Sequence, residues 1–164
     1  MKKSIVILLV IAVSITLLVA IGGVSTPASA KSKGYVFKYK GVSVTMNGAA
    51  KKLIKKAGKP SKKTVKKSCA YKGKDRTYTY KDFQLKTYSK TNNGAEYVSE
   101  IRFRSNKAVT KEGIRIGSSL KAVTKKYGKA KARFGVYTFK KGSSKLQIML
   151  NGNKVSAIRY FASK

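Results

Sequence analysis

Two hydrophobic periods alternate along this chain. Over residues 47–58, at about 100° per residue, Ala49, Ala50, Leu53, Ile54 and Ala57 fall on one side and Lys51, Lys52, Lys55, Lys56 and Lys59 on the other. That pattern predicts an amphipathic helix. Gly58 supplies a left-handed stop, and Pro60 bars continuation. The pattern returns further on, with Leu120, Val123, Thr124 and Tyr127 inward and Lys121, Lys125, Lys126 and Lys129 outward. Elsewhere the period falls to two. It predicts strands over about 69–73, 76–89 (broken near Lys81-Asp82) and 96–105, then 133–140, 144–150 and 154–161. Asn92-Asn93-Gly94, Lys141-Gly142 and Asn151-Gly152-Asn153 are the turns between them. Alternation puts Phe83, Leu85, Tyr97, Ile101 and Phe103 on a covered face, and Leu146, Ile148, Leu150, Ile158 and Tyr160 likewise. Residues 35–46 read as an added N-terminal strand.

The two helical segments belong to a longer internal match. Residues 44–60 align with 114–130 at a constant offset of 70, so that Lys51, Lys55, Lys56, Gly58 and Lys59 recur as Lys121, Lys125, Lys126, Gly128 and Lys129. Tyr78-Thr79-Tyr80 aligns with Tyr137-Thr138-Phe139, and residues 98–103 with 155–160. Self-similarity of this kind marks a structural unit used twice. The expected fold is α+β: two tandem helix–β-meander repeats forming an antiparallel sheet, with both helices packed on one face. Residues 31–105 would hold the N-terminal strand and the first repeat, and residues 106–164 the second.

The first 30 residues follow neither period. Lys2 and Lys3 precede an apolar run over residues 5–21, interrupted only by Ser14 and Thr16, and Gly22-Gly23 closes it. Ala28 and Ala30 fit the small-residue cleavage pattern of a bacterial export signal, which places the exported start at Lys31. The run sits at the lower end of the roughly 17–25 residues that span a bilayer, so an uncleaved anchor is the competing reading. Export leads to an envelope-associated or secreted location.

Charge sharpens that expectation. Lys and Arg number 38 against five acids, a net charge of +33. Removing residues 1–30 takes away Lys2 and Lys3 and no acid, which leaves +31 (33 − 2). Such a chain repels itself and attracts anionic partners. Most of the bases are Lys, a point charge, rather than the bidentate Arg fork, which favours diffuse attraction to a polyanion. Cys69 is the single cysteine, so no intramolecular disulfide forms. It reads as a small buried hydrophobe, or else as a thiol with a redox or intermolecular role.

The segment at 114–130, followed by antiparallel strands ending in Gly152-Asn153-Lys154-Val155-Ser156-Ala157-Ile158-Arg159-Tyr160, resembles a helix-then-meander module. That module occurs in tandem in the β-lactamase inhibitor protein and singly in small outer-membrane assembly lipoproteins of the SmpA/OmlA type. The resemblance implies a non-catalytic binding or scaffolding module, with no inhibitor residue matched.

Catalytic chemistry is poorly supplied. Without His there is no imidazole base and no Ser-His or Cys-His pair. Glu96 and Glu100 would share a strand face about 13 Å apart by strand rise, too far for a glycosidase pair. No enzyme activity, metal or cofactor is expected. Binding is better supplied. The helix lysines named above, with a second cluster of Lys62, Lys63, Lys66 and Lys67, are candidate contacts for an anionic wall polymer or an anionic lipid surface. Charged stripes are also what solvated helix faces carry. Tyr71, Tyr78, Tyr80 and Tyr88 are candidate contacts on a sheet face for a protein partner, or stacking platforms, unless they pack in the core. Extracellular nucleic acid is a lesser alternative, since any polyanion sees the same field.

Overall fold

Burial of the alternating apolar positions organises the chain around one sheet. The computed structural model describes residues 34–163, and the expected export signal with Ala28 and Ala30 lies outside them. A hairpin of β1 (Val36–Tyr39) and β2 (Val42–Thr45) comes first, followed by the short helix α1 (Lys51–Ala57). Four strands follow: β3 (Lys62–Lys67), β4 (Lys74–Thr79), β5 (Phe83–Ser89) and β6 (Glu96–Phe103). Helix α2 (Leu120–Tyr127) then leads into β7 (Val136–Lys141), β8 (Ser144–Asn151) and β9 (Lys154–Ala162). Strands β3 to β9 form one antiparallel sheet in the order β3-β4-β5-β6-β9-β8-β7.

This corrects the expected architecture. The chain is mainly β, with two short helices among the described residues, and it does not form two tandem helix–meander repeats. Four strands follow the first helix and three follow the second. The last strand, β9, pairs with β6 through Ile101↔Tyr160 and its neighbours, so one hydrogen-bond ladder runs through both halves. The buried side chains likewise form a single cluster. The sequence match has a local cause. The Val98 N–H donates to the Gly48 carbonyl at 2.9 Å, and the Val155 N–H donates to the Ser118 carbonyl at 2.8 Å, each tying a helix approach to a strand. Similar sequence serves that similar connection without building separate units.

The N-terminal segment also differs from the expectation. It does not join the large sheet but folds as a separate two-stranded hairpin over it. Phe37 is fully buried and meets Phe83, Phe103 and Tyr160, with ring centroids 5.2, 5.6 and 6.4 Å away. Leu53 of α1 and Val123 of α2 enter the same core. Burial of these side chains holds helices that are too short to be stable alone. Gly58 and Gly128 end them at φ 80° and 84°, a region that L side chains avoid.

A bulge decides which side chains face that core. Thr87 pairs with Val98 and Lys86 with Glu100, so Ser99 is an extra residue in β6. Strict alternation puts Tyr97 beside Ile101 and Glu96 beside Glu100. The bulge separates both pairs. Ile101 stays in the core, while Tyr97 turns to the open face opposite Tyr88, with ring centroids 5.6 Å apart. Glu96 faces the covered side and Glu100 the open side.

Candidate anion-binding surface

All thirteen candidate lysines are exposed. Lys51, Lys52, Lys55 and Lys56 lie on α1, with Lys59 just beyond it. Lys62, Lys63, Lys66 and Lys67 lie on β3, an edge strand that the hydrophobic pattern does not predict. Lys121, Lys125 and Lys126 lie on α2, with Lys129 just beyond it. Lys55, Lys56, Lys125 and Lys126 occupy the last helical turns, where cations favour the helix dipole. Lys51 and Lys52 occupy the first turn of α1, where no acid offsets them. There a cation opposes the dipole by about 0.3–1 kcal/mol, so helix stability does not account for these two.

The structure joins two of these groups and holds the third apart. Lys51 and Lys55 of α1 and Lys63 of β3 line one open groove of about 580 Å³. The Lys63 ammonium lies 5.2 Å from the centroid of the Tyr78 ring, within cation–π reach. Lys66 and Lys67 line a second opening with Lys72 and Lys74. The α2 lysines lie elsewhere, because Tyr127 packs on Phe139 of β7 at 5.3 Å. Strands β3 and β7 are the two ends of the sheet. With strands about 4.8 Å apart, these two edge strands are separated by roughly 30 Å.

The few acids are largely occupied internally. Glu96 accepts from the Tyr78 hydroxyl through Oε1 at 3.0 Å and Oε2 at 2.9 Å, and from Thr87 at 2.7 Å. Arg76 pairs with the same carboxylate at 3.5 Å. Burial first, then the hydrogen bond to Glu96, pushes the Tyr78 hydroxyl well above the usual phenol range, so it stays a donor. Glu100 pairs with Lys86 and Arg159. Asp82 accepts from Tyr39 and Ser105, and Glu112 accepts from Tyr127 at 2.7 Å. Asp75 is exposed. Among the described residues, three bases (Arg76, Lys86 and Arg159) reach a carboxylate within 4.0 Å, and none of them is a candidate lysine.

The four candidate tyrosines divide. Tyr78 and Tyr80 are buried on the covered face and stack on each other at 6.4 Å. Tyr71 is exposed and stacks on Tyr88 at 5.1 Å, and Tyr88 in turn meets Tyr97. Tyr71, Tyr88 and Tyr97 thus form an aromatic row on the open face. Sequence reasoning missed Tyr97 because it took no account of the bulge at Ser99. Cys69 is exposed rather than buried, since it lies in the loop between β3 and β4. No described helix is long and apolar enough to cross a membrane. Comparison of the chain with family models, with curated proteins and with solved structures finds no match.

Proposed function

We propose that this protein is an exported, non-catalytic binding module of the bacterial envelope that adsorbs to an anionic wall polymer or anionic lipid surface. One observation carries the reading. Four of the five acids are held by internal partners, while all thirteen candidate lysines stand exposed without a carboxylate within 4.0 Å among the described residues. The neutralising charge must then come from outside the fold. Exposed lysines spread over α1, β3 and α2 suit an extended polymer or surface better than a small anion. At physiological salt the Debye length is about 8 Å, so each lysine acts mainly on anionic groups close to it.

The test is co-sedimentation of the exported protein with purified cell wall, anionic liposomes and duplex DNA across a salt series. Retention on wall or liposomes that persists at about 0.15 M salt, with DNA released, supports the reading. Equal loss from all three as salt rises reduces the charge to generic attraction and removes it.

A second reading, a protein-binding module, is favoured by the row of exposed Tyr71 with half-buried Tyr88 and Tyr97, since aromatic side chains with polar tips are enriched at interfaces. Reversing Lys51 and Lys55 leaves such binding intact.

A further inference from the structure

The groove between α1 and the β3–β4 end of the sheet is more than a basic surface. Its lining is largely apolar: Ala49, Ile54 and Ala95, with the buried Tyr78 side chain beside them. Its volume of about 580 Å³ lies within the range of small-molecule sites, roughly 300–1,000 Å³. Lys51, Lys55 and Lys63 stand along the same groove. Glu96 also reaches it, but two hydroxyl donors and Arg76 already engage that carboxylate. The groove therefore offers apolar walls beside positive charge that is not cancelled. A ligand that is only charged has no use for such walls, and an uncharged ligand has no use for three lysines. An amphiphile uses both. Its chain displaces water from Ile54, Ala49 and Ala95, and its anionic head makes charge-assisted hydrogen bonds to the ammonium groups.

We infer that this groove takes an alkyl chain of an anionic envelope lipid, with the lipid phosphate held by Lys51, Lys55 and Lys63. The inference rests on the anionic-surface reading and deepens it, because it gives the α1–β3 end a lipid ligand as well as a charge. The α2 end, whose lysines lie across the sheet, supplies charge alone. Adsorption to a lipid surface would then be oriented, with the α1–β3 end inserted.

The experiment is calorimetric titration of the exported protein with dodecyl phosphate, below the concentration at which it forms micelles. Inorganic phosphate and neutral dodecyl maltoside are the controls. Ala95→Trp fills the groove from an exposed loop position and removes no charge. Lys63→Ala removes one exposed ammonium and leaves the walls. Dodecyl phosphate is expected to bind more tightly than either control. Each variant is expected to weaken it by about tenfold, the loss of one good charge-assisted contact or of comparable apolar burial. Ala95→Trp is expected to leave retention on purified cell wall unchanged. Dodecyl phosphate binding no tighter than the maltoside, or unaffected by both variants, overturns the inference. If that happens while retention on wall persists, the surface reading stands without the groove. If retention on wall and liposomes is lost as well, both fall.

Discussion

The Tyr78 hydroxyl lies 3.0 and 2.9 Å from the two carboxylate oxygens of Glu96. The bulge at Ser99 makes this possible by turning Glu96 toward the covered face, away from Glu100. One of five acids is thereby committed to the interior of a chain that carries +33. Tyr78→Phe keeps the ring and its burial but removes a donor from a half-buried carboxylate. The expected loss of stability is about 1–3 kcal/mol, read as a lower urea midpoint with an unchanged slope. An unchanged midpoint would show that this hydrogen bond contributes nothing net.

Tyr80 provides the contrast. It stacks on Tyr78 and is equally buried, yet its hydroxyl finds no partner among the described residues. A buried, unpaired hydroxyl is a desolvation cost. Tyr80→Phe is therefore expected to leave stability unchanged or to raise it by up to about 1 kcal/mol, in the same urea assay. A clear loss would reveal a partner for this hydroxyl, such as a bound water.

Alkaline pH should unfold the protein for a specific reason. Burial is the main cause that pushes the Tyr127 and Tyr160 hydroxyls above the usual value of 10.0. In the unfolded chain these groups lose their protons near pH 10, while in the folded chain they keep them. Above that pH the unfolded state binds fewer protons, so stability falls as pH rises. Their contribution is whole below pH 10 and is lost as pH climbs from there through the raised folded values. Urea midpoints measured from about pH 9 to 11 should fall across this window, and the fall should be shallower in Tyr160→Phe. A flat profile would contradict the burial of these hydroxyls.

The parts of the fold legible in the sequence are those where a covered face imposes its period. Strands β8 and β9 lie almost where alternation of Leu146, Ile148, Ile158 and Tyr160 puts them, and both helices end at Gly58 and Gly128. Strand β3 was not legible, because Lys-Lys-Thr-Val-Lys-Lys has no apolar alternation and Val65 itself is 49% exposed. Pairing with β4 makes it a strand, and its lysines suit an edge, where charge opposes pairing with another copy. The bulge at Ser99 carried no residue signal, and it reversed the faces of Glu96 and Tyr97. The exposed lysines could be read directly, since charge and amphipathicity are local. The groove could not, because α1, β3, β4 and the approach to β6 each supply part of its lining.

On the proposed function, the exposed lysines at the α1–β3 end bind an anionic surface. The direct measurement compares the protein of residues 31–164 with a variant carrying Lys51→Glu, Lys55→Glu, Lys63→Glu and Lys66→Glu, in retention on anionic liposomes and on purified cell wall across a salt series. Each lysine near an anionic surface is worth about 1 kcal/mol, and reversal adds repulsion. The account predicts that the variant binds at least about tenfold more weakly at about 0.15 M salt, with a shallower dependence on salt. Retention equal to that of the unaltered protein, with the same salt dependence, would contradict it.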